Sequence, residues 1–170
     1  AALGVSSILI AAAEASVPQA LAALARGAFG GRDAIVETLV QATPLIFAGL
    51  AVTVAFRGRI WNIGAEGQFF AGAMGAFWMS AQVGGVPPVA QIVIVALAAS
   101  TAGALWGAIP GFLKARYGAN EIIVTVMMNF IILYLLSFLL SSAWRDPSSF
   151  FFQTALIPES AFFPRLLAKG

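Results

Sequence analysis

Twelve residues from Arg57 to Gln68 (R-G-R-I-W-N-I-G-A-E-G-Q) gather three charges, three glycines and three amide or indole groups between apolar stretches. Glu66 stands out because no water-exposed loop of any length surrounds it. An acidic side chain at membrane depth costs roughly 2.5 to 3.5 kcal/mol at a helix centre, so such a group is a functional candidate by default. Gly58, Gly64 and Gly67 let the backbone turn sharply or approach a ligand, and broken helices with free backbone groups are a common way to hold a transported solute. Asn62, Glu66 and Gln68 would then offer donors and acceptors to a polar solute. A structural alternative stands beside this reading. A helix starting near Gly67 would favour an acid just before it by about 0.3 to 1 kcal/mol through its dipole.

A second cluster is Tyr117-Gly118-Ala119-Asn120-Glu121. Gly118 is suited to end one helix, Asn120 to cap the next, and Glu121 to sit in its positive first turn. That is the description of a well-made helical hairpin. Asn129 lies alone in an apolar run, where it is either an interhelical hydrogen bond or a group lining a pathway. Bond-making chemistry finds little material. The chain has no His and no Cys, so the thiolate nucleophile, the Ser–His pair and the usual zinc ligand sets are missing. Asp33 and Asp146 both fall outside the apolar runs, which removes an intramembrane acid pair. A transport role is expected rather than an enzyme, with no metal site and no cofactor.

The elements that must position these residues follow from composition. Of 170 residues 61% are hydrophobic and only 9% charged, against about 25% charged in a soluble domain. Too few charges remain to cover a water-facing surface, and the mean hydropathy of +0.94 agrees. The chain reads as an all-α, polytopic transmembrane helical bundle. A net charge of +2 with no basic run excludes nucleic acid as a partner; the lipid bilayer is the expected surround.

About four full spans are expected, at 38–56, 67–83, 89–113 and 122–144, preceded by a partial span at 1–13 that reads as a helix cut short. All belong to one transmembrane domain. The run from Thr38 to Phe56 rises about 28 Å as a helix, matching the hydrocarbon thickness. Between Glu14 and Glu37 a connection is expected, with a short surface helix near 18–24. Gly103, Gly107 and Gly111 recur every fourth residue, a stripe that lets another helix approach closely. Residues 145–170 form a tail bearing Pro147, Pro158 and Pro164 and aromatic clusters. The interruptions at 57–68 and 114–121 carry two cations each, and the turn at 84–88 carries none. Cations concentrate on the cytoplasmic side, so the first two are expected there, with the 14–37 connection and the tail outside.

Two long motifs, G-R-I-W-N-I-G-A-E-G-Q after T-P-L-I-F-A-G-L-A-V, and then A-R-Y-G-A-N-E-I-I-V-T-V-M-M-N-F, resemble the permease subunits of bacterial ABC importers of the simple-sugar and nucleoside branch. The similarity runs from about Pro18 to the tail and corresponds to the N-terminal half of such permeases. Within the branch, N-I-G-A-E-G-Q and G-A-N-E-I-I look more like nucleoside than ribose-type permeases. The resemblance implies that Gly118, Ala119, Asn120 and Glu121 meet an ATP-binding subunit on the cytoplasmic face. It implies that the Asn62 to Gln68 region, with Glu66 in it, lines the translocation path, to which Asn129 is the further candidate from its place in an apolar helix. It also implies a second permease subunit, an extracytoplasmic solute-binding protein and a place in the bacterial cytoplasmic membrane, with a nucleoside or related sugar-containing solute as cargo. A simple-sugar permease is the alternative, then an ATP-independent channel or carrier.

Overall fold

A computed structural model describes residues 2–162. Among them the secondary structure is helical without strands: α1 (Ala2–Ala12), α2 (Val17–Phe29), α3 (Arg32–Arg57), α4 (Ala65–Gln82), α5 (Pro88–Tyr117), α6 (Glu121–Ser141) and a single 3-10 turn at Glu159–Ala161. Tail residues Phe163, Pro164, Arg165 and Lys169 lie outside the described residues. The chain divides into two units, with the boundary inside α3 after Phe47.

The first unit holds α1, α2 and the N-terminal part of α3. Here the structure differs from the expected connection at 14–37, most of which is helical. Pro18 sits in the first turn of α2, where its missing N–H costs nothing, and Ala and Leu carry the helix to Phe29. Asp33 opens α3, placing a carboxylate against the positive end of the helix dipole. The Thr38 hydroxyl donates to the Ala28 carbonyl at 3.0 Å, closing the Gly30-Gly31 corner between the two helices.

The second unit begins in α3 at Ala48 and carries α4, α5, α6 and the segment after them. Helix α4 packs chiefly on α5 and then on α6. The α4–α5 contact is made of small residues. A Cβ on Gly72 would lie 3.1 Å from the Ala99 carbonyl oxygen, and one on Gly75 would lie 2.7 Å from the Ala102 Cβ. From the other side, a Cβ on Gly103 would meet the Gln68 carbonyl at 3.0 Å and one on Gly107 the Gln68 side chain at 2.8 Å. The glycine stripe is thus used at its first two positions, while Gly111 has open space around it.

Three helices, α3, α5 and α6, are long and apolar enough to cross a membrane. Helix α4, with 18 residues, rises about 27 Å but is diluted by glycine, alanine and polar groups. The surface pattern is the reverse of a soluble protein. Ser80, Gln91 and Thr125 are among the most buried side chains, whereas Leu45, Phe47, Leu97 and Phe138 are exposed. Apolar side chains turned outward are favourable only where the surroundings are hydrocarbon, and small and polar groups then make the helix contacts. This is a multi-pass membrane protein.

Candidate functional site

The expected interruption at 57–68 is narrower in the structure and runs from Gly58 to Gly64. Helix α3 ends in a pair of reversed hydrogen bonds, from the Arg59 N–H to the Phe56 carbonyl and from the Ile60 N–H to the Ala55 carbonyl, both 3.0 Å. This is the Schellman arrangement, which needs a left-handed residue just past the helix. Arg59 supplies it with φ of 56°, although Gly58 lies one residue before it. A non-glycine residue at positive φ holds strain of about 1 to 3 kcal/mol unless its surroundings fix it.

What fixes it comes from the α5–α6 hairpin. The Lys114 ammonium donates to the Arg59 carbonyl at 3.2 Å and also to the Glu121 carboxylate, with which it forms an ion pair. Lys114 stands in the last turn of α5 and Glu121 in the first turn of α6. The hairpin between them is tight. Gly118, at φ 67°, ends α5 by returning its N–H to the Lys114 carbonyl at 2.9 Å, and the Asn120 side chain accepts the Ile122 N–H at 3.0 Å. Ala119 is the one residue between the glycine and the cap. The expected turn at 114–121 therefore shrinks to 118–120, because α5 keeps its helical bonds through Tyr117.

At the far end of the break, α4 begins with no side-chain cap of its own; its N-cap residue is Gly64. Such a helix start leaves N–H groups without partners. Asn129 of α6 provides one, accepting the Gly67 N–H at 3.0 Å while its own amide donates to the Ile63 carbonyl at 3.1 Å. Thr125, one turn earlier on α6, is buried and its side chain lies against Gly64. Glu121, Thr125 and Asn129 are spaced by four residues and present one face of α6 to the break.

Asn62 and Gln68 join through their amides at 3.4 Å in both directions, and the Asn62 oxygen also accepts the Gly64 N–H at 2.8 Å. The structure thus brings Asn62, Gln68 and Asn129 to the same break in the helix. It places Glu66 beside them, in the first turn of α4, exposed and outside this network. The indole N–H of Trp106 is buried without a partner and lies 3.2 Å from where a Gly67 Cβ would be. Below the break, α4, α5, α6 and the residues after α6 border a shallow, open apolar depression of about 320 Å³ lined by Ala71, Met74, Trp78, Trp106, Ile132 and Trp144, among others.

Sequence reasoning used Arg59 and Lys114 only as orientation charges, and passed over Thr125 and Trp106. The signal for Lys114 was present. A cation in the last turn of one helix and an acid in the first turn of the next are brought together whenever the connection is as short as three residues.

The described helices form a polytopic membrane bundle with an uncharged amide cluster at the break between α3 and α4. Residues 34–168 match the family described as branched-chain amino acid transport system / permease component, and the chain belongs to this family. It is 41% identical over 146 residues to the guanosine ABC transporter permease protein NupP of Bacillus subtilis, a match spanning 86% of this chain and 41% of that protein. The glucose ABC transporter permease protein TsgB13 of Haloferax volcanii is 39% identical over 78% of this chain and 34% of its own length. The nucleoside ABC transporter permease protein NupB of Lactococcus lactis is 35% identical over 69% of this chain and 32% of its own. The chain thus matches well under half the length of each of these relatives. No solved structure matches it.

Proposed function

We propose that the chain is part of an ABC importer permease that passes a nucleoside or related sugar-bearing solute across the bacterial cytoplasmic membrane. The observation that carries this reading is the break before α4, where Asn62, Gln68 and Asn129 supply uncharged donors and acceptors beside an aromatic depression. Such groups suit hydroxyls and base edges, which carry no charge of their own, and aromatic faces suit a planar ring. Glu66 adds an acceptor at the mouth of α4. The guanosine and nucleoside permeases among the relatives support this cargo, and the glucose permease supports a simple sugar as the second reading.

The permease itself performs no bond chemistry. ATP hydrolysis belongs to a partner subunit that docks at Gly118, Ala119, Asn120 and Glu121, a second permease subunit completes the pathway, and an extracytoplasmic solute-binding protein delivers the cargo. The hairpin at 118–120 and the break at 58–64 face the cytoplasm, and the turn at 83–87 faces outward. The test is uptake by the complete transporter in proteoliposomes, comparing nucleosides with free pentoses and hexoses. Saturable, ATP-dependent uptake of nucleosides is expected; uptake confined to free sugars favours the second reading, and ATP-independent uptake overturns the importer.

A further inference from the structure

The segment between α3 and α4 is held at both ends by one hairpin. At its start, Lys114 in the last turn of α5 fixes the Arg59 carbonyl at 3.2 Å. At its end, Asn129 of α6 fixes the Ile63 carbonyl and the Gly67 N–H. Lys114 is in turn paired with Glu121, the first residue of α6, so both anchors belong to a single rigid body. From Glu121 to Asn129 along α6 is about 12 Å, so a small tilt of the hairpin shifts the two ends of the break by different amounts.

We infer that Lys114 is a positioning residue that latches the break to the hairpin, so that force applied at residues 118–120 reaches the backbone around Asn62. Three observations converge on it. Lys114 bonds the break at the Arg59 carbonyl and the start of α6 at the Glu121 carboxylate. Its acceptor on the break is the carbonyl of Arg59, whose positive φ aims that carbonyl and would otherwise be unfavourable. The pair is also partly exposed, with side chains 34% and 15% accessible for Lys114 and Glu121. With Lys114 partly accessible, its bond to the Arg59 carbonyl is weak enough to open and re-form, as a coupling element must. An ammonium with three donors can release the Arg59 carbonyl while keeping Glu121, which gives the break two arrangements, held and free.

This inference rests on the proposed docking of an ATPase at the hairpin, and its test can fail independently of the proposed cargo. In the complete transporter, backbone hydrogen exchange is followed at residues 60–64 and 115–120 with and without a non-hydrolysable ATP analogue. Wild type and Lys114→Arg, which retains a donor for both acceptors, are expected to change exchange at 60–64 by tenfold or more on adding nucleotide. Lys114→Gln is expected to lose that response at 60–64 while keeping it at 115–120. Should Lys114→Gln not assemble, Lys114→Met, which keeps the apolar stem and removes every donor, carries the same comparison. A nucleotide response at 60–64 that survives in Lys114→Gln, or its absence from wild type, overturns the latch. Solute-stimulated ATP hydrolysis measured on the same wild-type preparation reports separately on the cargo.

Discussion

Asn129 accepts a hydrogen bond from the backbone N–H of Gly67 at 3.0 Å, across a sequence separation of 62 residues. It is a helix cap delivered from another helix. A start of α4 lying within the protein cannot leave its N–H groups to water, and a side chain from α6 takes over the duty that Ser, Thr or Asp performs at an exposed helix start. Removing the side chain in Asn129→Ala strands both the Gly67 N–H and the Ile63 carbonyl. A loss of about 1 to 3 kcal/mol is expected. Asn129→Asp keeps the acceptor, loses the donor and is expected to fall between. Unfolding of the detergent-solubilised transporter with denaturant, comparing the three forms, measures this.

The glycines divide into tight and open positions, and the same assay separates them. A Cβ on Gly67 would lie 2.6 Å from the Asn129 Oδ1 and 3.3 Å from its Cα, so the Asn129 side chain must leave its place. Gly67→Ala is expected to destabilise by about 1 to 3 kcal/mol, the usual cost of overpacking, and Gly75→Ala to behave similarly against Ala102. Gly111→Ala meets nothing within 4 Å and is expected to be neutral or slightly stabilising. Equal effects at Gly67 and Gly111 would contradict the close approach of α4 and α6.

These pairings mark how far the sequence could be read. Helix existence was legible because long uncharged runs admit few alternatives in lipid, and Gly118 and Asn120 announced the hairpin through their residue types. Helix ends were less so. Lys114 to Tyr117 looked like loop because charges interrupt an apolar pattern, yet the helix continues through them, since Lys and Arg are good helix formers and suit a C-terminus. The left-handed residue ending α3 was hidden for a related reason. Gly58 is the residue type that favours positive φ, but Arg59 adopts it, and its carbonyl accepts from Lys114, 55 residues away in sequence. Asn129 read equally as an interhelical bond or a pathway group. Its two bonds to the break show the first role without removing the second.

The hydrogen bond from Lys114 to the Arg59 carbonyl puts both cation-bearing interruptions at one end of the second unit. Single cysteines at Ala115 and Pro87, both exposed, are therefore expected to react from opposite sides of the membrane, with Ala115→Cys protected in intact cells from an impermeant maleimide. Labelling of both from the same side would overturn the orientation derived from charge.

Beyond α6, Asp146 folds the chain back on itself by accepting the Ser148 hydroxyl at 2.6 Å and the Ser148 N–H at 2.9 Å. These two bonds hold its carboxyl below the ordinary aspartate range. Because the folded value is the lower one, the contribution is complete above an ordinary aspartate value of about 3.9. It is lost as pH falls through the folded value. Amide exchange at Ser148 is expected to be slower than in Asp146→Asn at neutral pH and to lose that difference only as pH falls through the lowered value, so that the two proteins converge in stronger acid. Identical exchange in both proteins at neutral pH would show that the carboxylate does not order this turn.

Glu66 gives the sharpest test of the pathway. It occupies the first turn of α4, exposed and without a share in the amide network around Asn62 and Gln68, so two roles compete for it. As a partner of the helix dipole alone, its neutral replacement Glu66→Gln costs about 0.3 to 1 kcal/mol of stability and leaves transport nearly intact. As an acceptor for a solute hydroxyl or base N–H in a dry pathway, loss of its charge weakens that contact by about 1.5 to 3 kcal/mol, a factor of roughly ten to a hundred in apparent affinity. The second outcome is expected, because the exposed Glu66 carboxylate takes no part in the bonds among Asn62, Gln68 and Asn129 and stands open to a solute beside them. Asn62→Ala is expected to reduce uptake at low solute as well. It also releases the Gly64 N–H, so it should lower stability where Glu66→Gln does not. Uptake measured across solute concentrations in proteoliposomes separates these cases. An unchanged half-saturating concentration in Glu66→Gln would leave the break before α4 as a structural kink between two spans.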